Sequence, residues 1–284
     1  MSSVMIRVVL MIRVIETNDG VAAAEDGSSM RYAIMLEPQQ GITYAEQLAV
    51  AKRAEAAGFE AFFRSDHYES FPGPSNLPTT DAWTVLAGIA RETSTIRLGA
   101  LVSPVTYRLP GPFAKIVTTV DEMSGGRVDV ALGTGWHEVE HRRLGIPFPS
   151  VAERAEMLEE TLAILHGLWE EPDGWSWDGP RWPIVDALFR PKPVQRPHPP
   201  LFIGGGGRRT LSLAGREADV VGLAPRVVAG QGPDPASLTF AATVEKIGWV
   251  REAAGDRFDD LVFNVYPSVW PITITDHQRP RRPG

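Results

Sequence analysis

The sequence contains no cysteine, so it can form no disulfide and no thiolate metal site, and it offers no cysteine nucleophile. It also lacks an excess of positive charge, because 35 acidic and 28 basic residues give a formal net charge of −7. That balance argues against a nucleic-acid-binding surface, which is usually basic. No apolar run approaches the roughly 20 residues that cross a bilayer. We therefore expect neither nucleic acid nor a membrane as a partner, and a cytoplasmic location.

Residues 1–29 are expected to form an N-terminal extension. Val4 to Ile15 is apolar and strand-like, although Arg7 and Arg13 interrupt it, and no clear small-residue cleavage site follows directly. The small residues from Gly20 to Ser29 indicate a linker. Met30 opens a clean strand, so an alternative is that the protein starts there and that residues 1–29 are a tail or a wrongly assigned start.

From Met30 to Asp276 the sequence alternates short apolar strands with amphipathic helices. Two helices begin with capping-box spacing, at Thr43–Glu46 and at Ser150–Glu153. Strands are predicted at 32–36, 59–64, 96–102, 127–132, 201–204, 218–223, and 261–269 with 272–275. Strands that alternate with helices predict a parallel sheet covered by helices. Seven such units favour an α/β fold of the TIM (β/α)8 barrel type over an open sheet.

Two segments depart from this alternation. Residues 172–200 are rich in proline and tryptophan and have no helical period, which predicts a long loop or hairpin inserted into the barrel domain of residues 30–276. Residues 277–284 cannot form a strand and a helix, so they are expected to be a disordered tail and the last β/α unit is expected to be missing. One hypothesis is that Val4 to Ile15 fills the resulting gap beside the first barrel strand.

Asp66 and His67 end the apolar run Phe62-Phe63-Arg64-Ser65 and are the first candidates for chemistry. The loops at the C-terminal ends of barrel strands build the active site. A neutral imidazole can donate a hydrogen bond from one nitrogen and accept at the other, which suits cofactor contact and proton handling. The alternative is that Asp66 caps a helix and that His67 lies on the surface.

Two glycine-rich turns follow later strands. Gly133-Thr134-Gly135 allows close backbone approach to a flat ligand and offers a hydroxyl, although a plain tight turn would have the same composition. The run from Gly204 to Gly207 opens a helix that begins with Arg208 and Arg209. Free amides at a helix N-terminus and two guanidinium groups predict an anion site of the phosphate type. The alternative is a flexible turn.

His137-Glu138-Val139-Glu140-His141 matches the H-E-x-x-H pattern of zinc proteases. It directly follows a glycine turn, and Gly145 and Pro147 would soon break a helix, so the context favours a solvated short helix and no metal. Trp175, Trp177 and Trp182 could line a pocket or fix the inserted loop to the barrel. Among peptide bonds, Ser103–Pro104 is the cis candidate on general grounds, because X-Pro bonds adopt the cis form most readily.

Together, several motifs in a consistent order resemble those of the luciferase-like monooxygenase family and, more narrowly, its coenzyme F420-dependent branch. They are Ser65–Tyr68, Leu98–Ser103, Gly133–Trp136, Gly145–Pro149, Pro191–Gln195 and Pro199–Gly207. The resemblance covers roughly residues 30–276. It implies a TIM barrel with an insertion and an oxidoreductase that binds F420, or alternatively FMN, at the C-terminal mouth.

The resemblance also implies roles for individual residues. Asp66 and His67 would lie near the deazaflavin ring and serve as catalytic residues, with His67 as proton donor or acceptor. Leu101 and Val102 match the place where F420 relatives carry a non-proline cis peptide that supports the ring, and Ser103 beside them would also contact the cofactor. Gly133, Thr134 and Gly135 would line the ring or its side chain. Gly205, Gly206, Gly207 and Arg208 would hold the phosphate.

The implied reaction is hydride transfer between C5 of F420 and a small organic substrate. The sugar-phosphate dehydrogenases of this branch carry an acid directly after the glycine turn and a Trp shortly after the His, whereas this sequence has Trp136 and Phe71 there. That departure argues against a sugar-phosphate substrate. The alternatives are an FMN-dependent monooxygenase that uses dioxygen and a non-catalytic flavin-binding protein. Relatives in this family are often dimers, so a homodimer is expected.

Overall fold

The structure is a computed structural model, and it describes residues 6–17, 20–23, 30–74, 76–228 and 232–265. The strands are β1 (Ile6–Thr17), β2 (Gly20–Ala23), β3 (Met30–Leu36), β4 (Ala61–Arg64), β5 (Arg97–Ala100), β6 (Ser103–Pro104), β7 (Val130–Gly133), β8 (Trp175–Trp177), β9 (Ile184–Ala187), β10 (Leu201–Gly205), β11 (Val220–Leu223), β12 (Val227–Val228), β13 (Gly232–Pro233) and β14 (Val262–Val265).

The described residues also form α-helices that follow or connect these strands. They are α1 (Tyr44–Ala56), α2 (Ala82–Glu92), α3 (Pro110–Ser124), α4 (Glu138–Arg143), α5 (Val151–Glu170), α6 (Arg208–Glu217) and α7 (Phe240–Ala254). The capping boxes predicted at Thr43 and Ser150 are confirmed, since each hydroxyl accepts from a backbone amide and each Glu side chain returns to the cap. Within the described ranges, every helix is too short or too polar to cross a membrane.

The main sheet curls into a ring whose strand order is β5-β4-β3-β1-β14-β11-β10-β7-β6. β5 and β6 occupy one position, because only Leu101 and Val102 separate them and they pair with β4 and β7 respectively. A parallel bridge between Leu98 and Val128 closes the ring between β5 and the segment that leads into β7. The fold is therefore the α/β barrel that the strand–helix alternation predicts.

The eighth position of the ring belongs to β1, which runs antiparallel to both of its neighbours. Ile6 to Ile12 pair with β3, and Leu10 to Arg13 pair with β14. The hypothesis that the segment from Val4 to Ile15 fills the gap beside the first barrel strand is confirmed for its described part. Because β1 has hydrogen-bonding partners on both sides, β3 and β14 are not left with open edges.

Alternate side chains of β1 contribute to the interior of the ring. Val9 is fully buried and packs with Met35 and Phe63, whereas Met11 packs with Phe202 on the β10 side. The Phe63 and Phe202 rings meet edge to face across the interior, with centroids 6.3 Å apart. A larger apolar cluster fills the space between the outer face of the strands and the helices. The alternating strand side chains thus form one apolar layer inside the ring and a second between the strands and the helices, as a barrel requires.

The insertion between α5 and β10 is a hairpin formed by β8 and β9. The Trp175 and Trp177 rings stack with centroids 6.4 Å apart. Trp175 lies so close to α5 that a Cβ on Gly167 would be 2.0 Å from its ring. The backbone amides of Arg181 and Trp182 donate to the Glu160 carboxylate of α5. These tryptophans therefore fix the insertion to α5.

Two expectations about segment boundaries need correction or lie in part beyond the described residues. The linker expected from Gly20 to Ser29 is wrong at its start, because Gly20–Ala23 forms β2 and pairs with β1; the Asp19-Gly20 dipeptide is a hairpin signal. The last predicted strand is confirmed only as β14, while the segment 272–275 and the expected tail 277–284 lie outside the described ranges.

A chain that starts at Met30 is expected to be much less stable than the full chain. Removing residues 1–29 deletes both ladders of β1 and the buried side chains of Val9 and Met11. We expect the thermal unfolding midpoint to fall by more than about 10 °C, measured by circular dichroism. An unchanged midpoint would contradict the assignment of β1 to the ring.

A point substitution tests the same assignment without changing the chain length. Val9→Ala removes two methyl groups from a fully buried position and should lower the free energy of unfolding by about 2 kcal/mol. Val185→Ala is the matched control, because Val185 is 82% exposed in the inserted hairpin and should leave stability unchanged.

Candidate functional site

A cavity of about 330 Å³ opens at the C-terminal ends of the parallel strands. Its wall is mainly apolar, with a few polar side chains, which is the usual composition of a small-molecule site. The lining residues are Met35, Glu37, Gln39, Ser65, Asp66, His67, Phe71, Leu101, Val102, Pro104, Trp136, Phe202, Gly204, Gly222, Leu223, Ala224, Pro225, Val227 and Asn264. Every one of the seven parallel strand positions contributes to this wall.

His67 is held in place by Glu140, which belongs to α4 on a different part of the ring. The His67 Nδ1 atom lies 2.9 Å from Glu140 Oε2. Glu140 is fully buried and also accepts from the Tyr107 hydroxyl at 2.5 Å, from the Glu69 amide at 3.0 Å and from the Tyr68 amide. Because four donors bind this one carboxylate, the Glu140 side chain is held in one orientation, and its contact with Nδ1 fixes the plane of the His67 imidazole.

The protonation of this pair follows from its contacts. Burial alone would raise the pKa of Glu140, but the hydrogen bonds from His67, Tyr107 and Tyr68 hold that pKa below its usual value. An ionised carboxylate can only accept, so the proton of neutral His67 lies on Nδ1. In that tautomer the lone pair is on Nε2, and His67 lines the cavity.

Asp66 lies beside His67 but has a different role in the structure. Its side chain is completely buried and forms a two-pronged ion pair with Arg108, at 2.6 and 3.1 Å. Arg108 also contacts Asp81, the N-cap residue of α2, at 2.6 Å. The Ser103 hydroxyl donates to Asp66 at 2.8 Å. Asp66 therefore connects the C-terminal end of β4 to the start of β6 and, through Arg108, to the N-cap of α2. The Arg108 guanidinium neutralises the negative charge of the Asp66 carboxylate.

An aromatic frame surrounds the His67 ring on its cavity side. Phe71 meets it edge to face at 4.4 Å, and Trp136 does so at 6.0 Å. Phe71 in turn stacks on His137 at 4.4 Å. These rings restrict the imidazole to one orientation and lower its contact with water. Trp136 and Phe71 thus occupy the site, at the two positions where the sequence departs from the sugar-phosphate dehydrogenase pattern.

Val102 inserts between the ends of two strands. A Cβ on Gly133 would lie 2.7 Å from one Val102 methyl group, and a Cβ on Gly204 would lie 3.1 Å from the other. A residue with a side chain at position 133 would therefore collide with Val102, and glycine allows the close packing. The peptide bond between Leu101 and Val102 is cis, as the family resemblance implies. The expectation of a cis bond at Ser103–Pro104 is wrong, because that bond is trans.

The remaining predicted residues lie around the cavity rather than in its wall. Thr134 is half-buried, and a Cβ on Gly135 would contact Thr106 and Pro104. Gly205 lies against Thr210, and a Cβ on Gly206 would be 2.3 Å from the Pro225 carbonyl oxygen. Gly207 precedes α6, faces open space and leaves the first turn of that helix without a side-chain cap.

The two arginines of α6 are engaged with carboxylates of neighbouring helices. Arg208 is 62% exposed and lies 2.8 Å from Glu252 of α7, and Arg209 lies 2.9 Å from Glu159 of α5. Neither residue lines the cavity. An exposed ion pair of this type contributes at most about 1 kcal/mol, so an anion at the α6 N-terminus could recruit Arg208 at small cost.

The segment that matches H-E-x-x-H differs from the expected solvated helix. His137 precedes α4, and both Glu140 and His141 are fully buried. His141 Nδ1 lies 2.8 Å from the His137 carbonyl oxygen, and its Nε2 lies 2.7 Å from the Thr106 hydroxyl. The pKa of His141 is lowered, mainly by burial. Because both ring nitrogens are hydrogen-bonded, the segment supports the site internally and does not present a zinc-ligand pair.

Glu140, Tyr107 and Arg108 are the polar partners of Asp66 and His67 that the sequence did not single out. They come from a short helix and from the turn before α3, far along the chain from Asp66 and His67. One signal was available: Glu140 lies inside the segment that matches H-E-x-x-H, although at a variable position of that pattern, where Glu138 is the motif's acid. No local pattern marks Arg108.

Comparisons with known proteins identify a family and a fold. The family model described as luciferase-like monooxygenase matches residues 22–234. The chain is 31% identical over 170 residues to an FMNH2-dependent dimethylsulfone monooxygenase of Pseudomonas putida, which covers 60% of this chain and 46% of the relative. It is 30% identical over 168 residues to an F420-dependent glucose-6-phosphate dehydrogenase of Microbacterium testaceum, which covers 58% of this chain and 48% of the relative.

Among solved structures, the coenzyme F420-dependent tetrahydromethanopterin reductase from Methanopyrus kandleri has a similar fold. The TM-score is 0.65 at 24% identity, over 81% of this chain and 63% of that chain. The present chain thus spans about half the length of the two curated relatives.

Removing Arg108 should destabilise the protein strongly. Arg108→Ala leaves Asp66 and Asp81 without their shared cation, and loss of one partner from a buried ion pair costs about 3–5 kcal/mol. Arg190→Ala is the control, because Arg190 is 79% exposed in its pair with Asp173 and its loss should cost less than about 1 kcal/mol. Urea unfolding at neutral pH measures both, and equal losses would refute the structural role of Arg108.

Proposed function

The chain belongs to the luciferase-like monooxygenase family, and on that premise we propose that it is an F420-dependent oxidoreductase that transfers a hydride between the deazaflavin and a small organic substrate. The observation that carries the proposal is the His67 imidazole, which Glu140 orients at the wall of an apolar cavity at the C-terminal end of the barrel.

The residues present suit a cofactor with a planar ring and a phosphate-bearing side chain. Leu101, Val102 and Phe202 offer an apolar surface at the strand ends. The uncapped first turn of α6 offers backbone amides to a phosphate, and Gly207 leaves the approach open. In the proposed complex Arg208 exchanges Glu252 for that phosphate. Gly205 and Gly206 allow the chain to turn tightly before the helix, while Gly133, Thr134 and Gly135 shape the opposite side.

When bound, F420 supplies two-electron chemistry by giving or taking a hydride at its C5 atom. The protein handles the accompanying proton. In the oxidising direction a substrate group that loses hydride from carbon also releases a proton, and His67 Nε2 has the lone pair to accept it. In the reducing direction the same nitrogen returns the proton. Glu140 compensates the positive charge that His67 gains, as a buried carboxylate does beside a general base.

Asp66 is proposed to act as a positioning residue. Because Arg108 and Ser103 neutralise and fix its carboxylate, it holds the strand end from which His67 projects. The apolar wall favours a substrate with little charge. Trp136 and Phe71 occupy positions where the sugar-phosphate dehydrogenases of this branch carry an acid and a Trp, and this difference supports a substrate other than a sugar phosphate.

The second candidate function is an FMN-dependent monooxygenase, supported by the similarity to the dimethylsulfone enzyme of Pseudomonas putida. In that case the same cavity would exclude bulk water from a reduced flavin that reacts with dioxygen. A flavin-binding protein without turnover is the alternative from another class. The two enzymatic candidates differ in the cofactor that they bind. The non-catalytic flavin-binding protein would bind a cofactor but form no product.

Fluorescence titration of the full chain with F420 and, in parallel, with FMN separates these candidates. We expect micromolar binding of F420 and at least about tenfold weaker binding of FMN. Preferential binding of FMN would replace the proposal with the monooxygenase. Binding of F420 without oxidation or reduction of any alcohol, ketone or enone in a hydride-acceptor screen would favour the non-catalytic alternative.

Substitutions of the His67–Glu140 pair test the proton-handling role. His67→Ala should lower F420-linked turnover by about 100-fold or more and leave cofactor affinity nearly unchanged. Glu140→Gln places an amide NH2 group against Nδ1, so the imidazole proton should move to Nε2 and remove the acceptor from the cavity. Nitrogen-15 NMR of the imidazole detects that exchange of tautomers, and turnover in the oxidising direction should fall with it.

The matched control is Glu138→Gln, because Glu138 lies on the same helix but is exposed. It should change neither the tautomer nor the rate. Wild-type turnover in His67→Ala would remove His67 from the mechanism. An unchanged tautomer in Glu140→Gln would show that the carboxylate does not set it.

A further inference from the structure

A second cluster of ligand-type side chains lies at the opposite end of the barrel from the cavity. His166 and Glu170 belong to the last turns of α5, and His198 lies just before β10 begins. These three residues therefore face the N-terminal ends of the strands, whereas His67 and the cavity lie at the C-terminal ends. None of them has a role in the proposed hydride transfer.

The geometry brings one nitrogen or oxygen atom of each residue to a common point. The three atoms lie within 4.8 Å of one another. His166 and Glu170 are four residues apart, so they share one face of the helix, and their side chains are in contact. His198 Nε2 lies 3.9 Å from Glu170 Oε1. An ion would take the place of the His166–Glu170 hydrogen bond and bind each of the three atoms at about 2.1 Å.

His198 has the orientation of a metal ligand before any ion is present. Its Nδ1 donates to the Pro199 carbonyl oxygen at 2.8 Å, so the neutral ring has its lone pair on Nε2, the atom that faces Glu170. Trp169 stacks against the same ring, with centroids 6.1 Å apart. A backbone carbonyl on the remote nitrogen is the usual way in which proteins orient a metal-binding imidazole.

His166 has a buried nitrogen whose situation an ion would improve. Its Nε2 is buried without a hydrogen-bond partner and lies 3.9 Å from a Glu217 carboxylate oxygen. If the proton lies on Nδ1 and bonds to Glu170, Nε2 directs a lone pair towards Glu217. With an ion on Nδ1, the proton moves to Nε2 and faces that carboxylate, which gives the second contact that metal-bound histidines commonly make.

We propose that His166, Glu170 and His198 bind one divalent transition-metal ion of the zinc class. Two imidazoles and a carboxylate favour zinc, cobalt or nickel over magnesium or calcium, which prefer oxygen ligands. Water would complete the tetrahedral coordination, since three of the four positions come from the protein. The ion would tie the C-terminal end of α5 to the segment that leads into β10, so we expect its binding to stabilise the folded chain.

Zinc binding to the full chain, after treatment with a chelator, tests the proposal. We expect one equivalent of Zn2+ to bind with a dissociation constant near or below about 10 μM in competition with a chromophoric chelator. At about 100 times that constant, the unfolding midpoint should rise by roughly 6 °C. Co2+ in place of Zn2+ should give the visible absorption of a four- or five-coordinate nitrogen–oxygen site.

Two variants and a matched control decide the location of the ion. His198→Ala and Glu170→Gln should each weaken Zn2+ binding by at least about 10–100-fold, and both should abolish the thermal shift. Glu171→Gln neutralises the adjacent exposed carboxylate and should bind like the wild type. Circular dichroism checks that each variant is folded. If His198→Ala does not fold, Glu170→Gln still decides the test.

The proposal is overturned if no Zn2+ binds up to about 100 μM, or if Glu170→Gln binds with wild-type affinity. It is also overturned if Glu171→Gln loses binding as strongly as Glu170→Gln, which would indicate attraction to general negative charge. F420 and FMN titrations should be the same with and without Zn2+, because the two sites lie at opposite ends of the barrel.

Discussion

A closed barrel has no free edge, because every strand must exchange hydrogen bonds with a neighbour on each side. In this chain seven strand positions run parallel, and β1 completes the ring by running antiparallel between β3 and β14. The cavity depends on that closure. Asn264, which lines the cavity at the end of β14, is held by a hydrogen bond to the Leu10 carbonyl of β1. Closure therefore determines both the stability of the sheet and the shape of one wall of the site.

The site contains two buried carboxylates, Asp66 and Glu140, and each one is compensated by its own group of partners. In one, Arg108 neutralises Asp66, so that carboxylate contributes little field to the cavity. In the other, Glu140 remains ionised on four donors, one of which is the His67 imidazole. Within the two groups, the imidazole Nε2 is the polar atom that we propose meets a ligand. An apolar cavity with one oriented base suits a reaction in which a cofactor carries the electrons and the protein manages a proton.

The sequence predicted the barrel and the position of Asp66 and His67 because both depend on local pattern: apolar strands, capped helices and the point where a strand ends. It did not predict the partners of these residues, because Arg108 and Glu140 lie 42 and 73 positions away along the chain and are brought near only by ring closure. The glycine run and the arginines at the start of a helix predicted that Arg208 faces an anion, but in the folded chain a carboxylate on the adjacent helix competes for the same guanidinium.

The position of β1 also constrains the order in which the molecule can be assembled. β1, β3 and β4 are close in sequence, so they can pair as soon as the first quarter of the chain is available. The last seam of the ring joins residues 254 positions apart, as in the contact between Asn264 and Leu10, and such distant contacts form slowly. During synthesis on the ribosome, the early strands must therefore wait with one open side until β14 emerges. During that interval the unpaired side of β1 is open to hydrogen bonding with another chain.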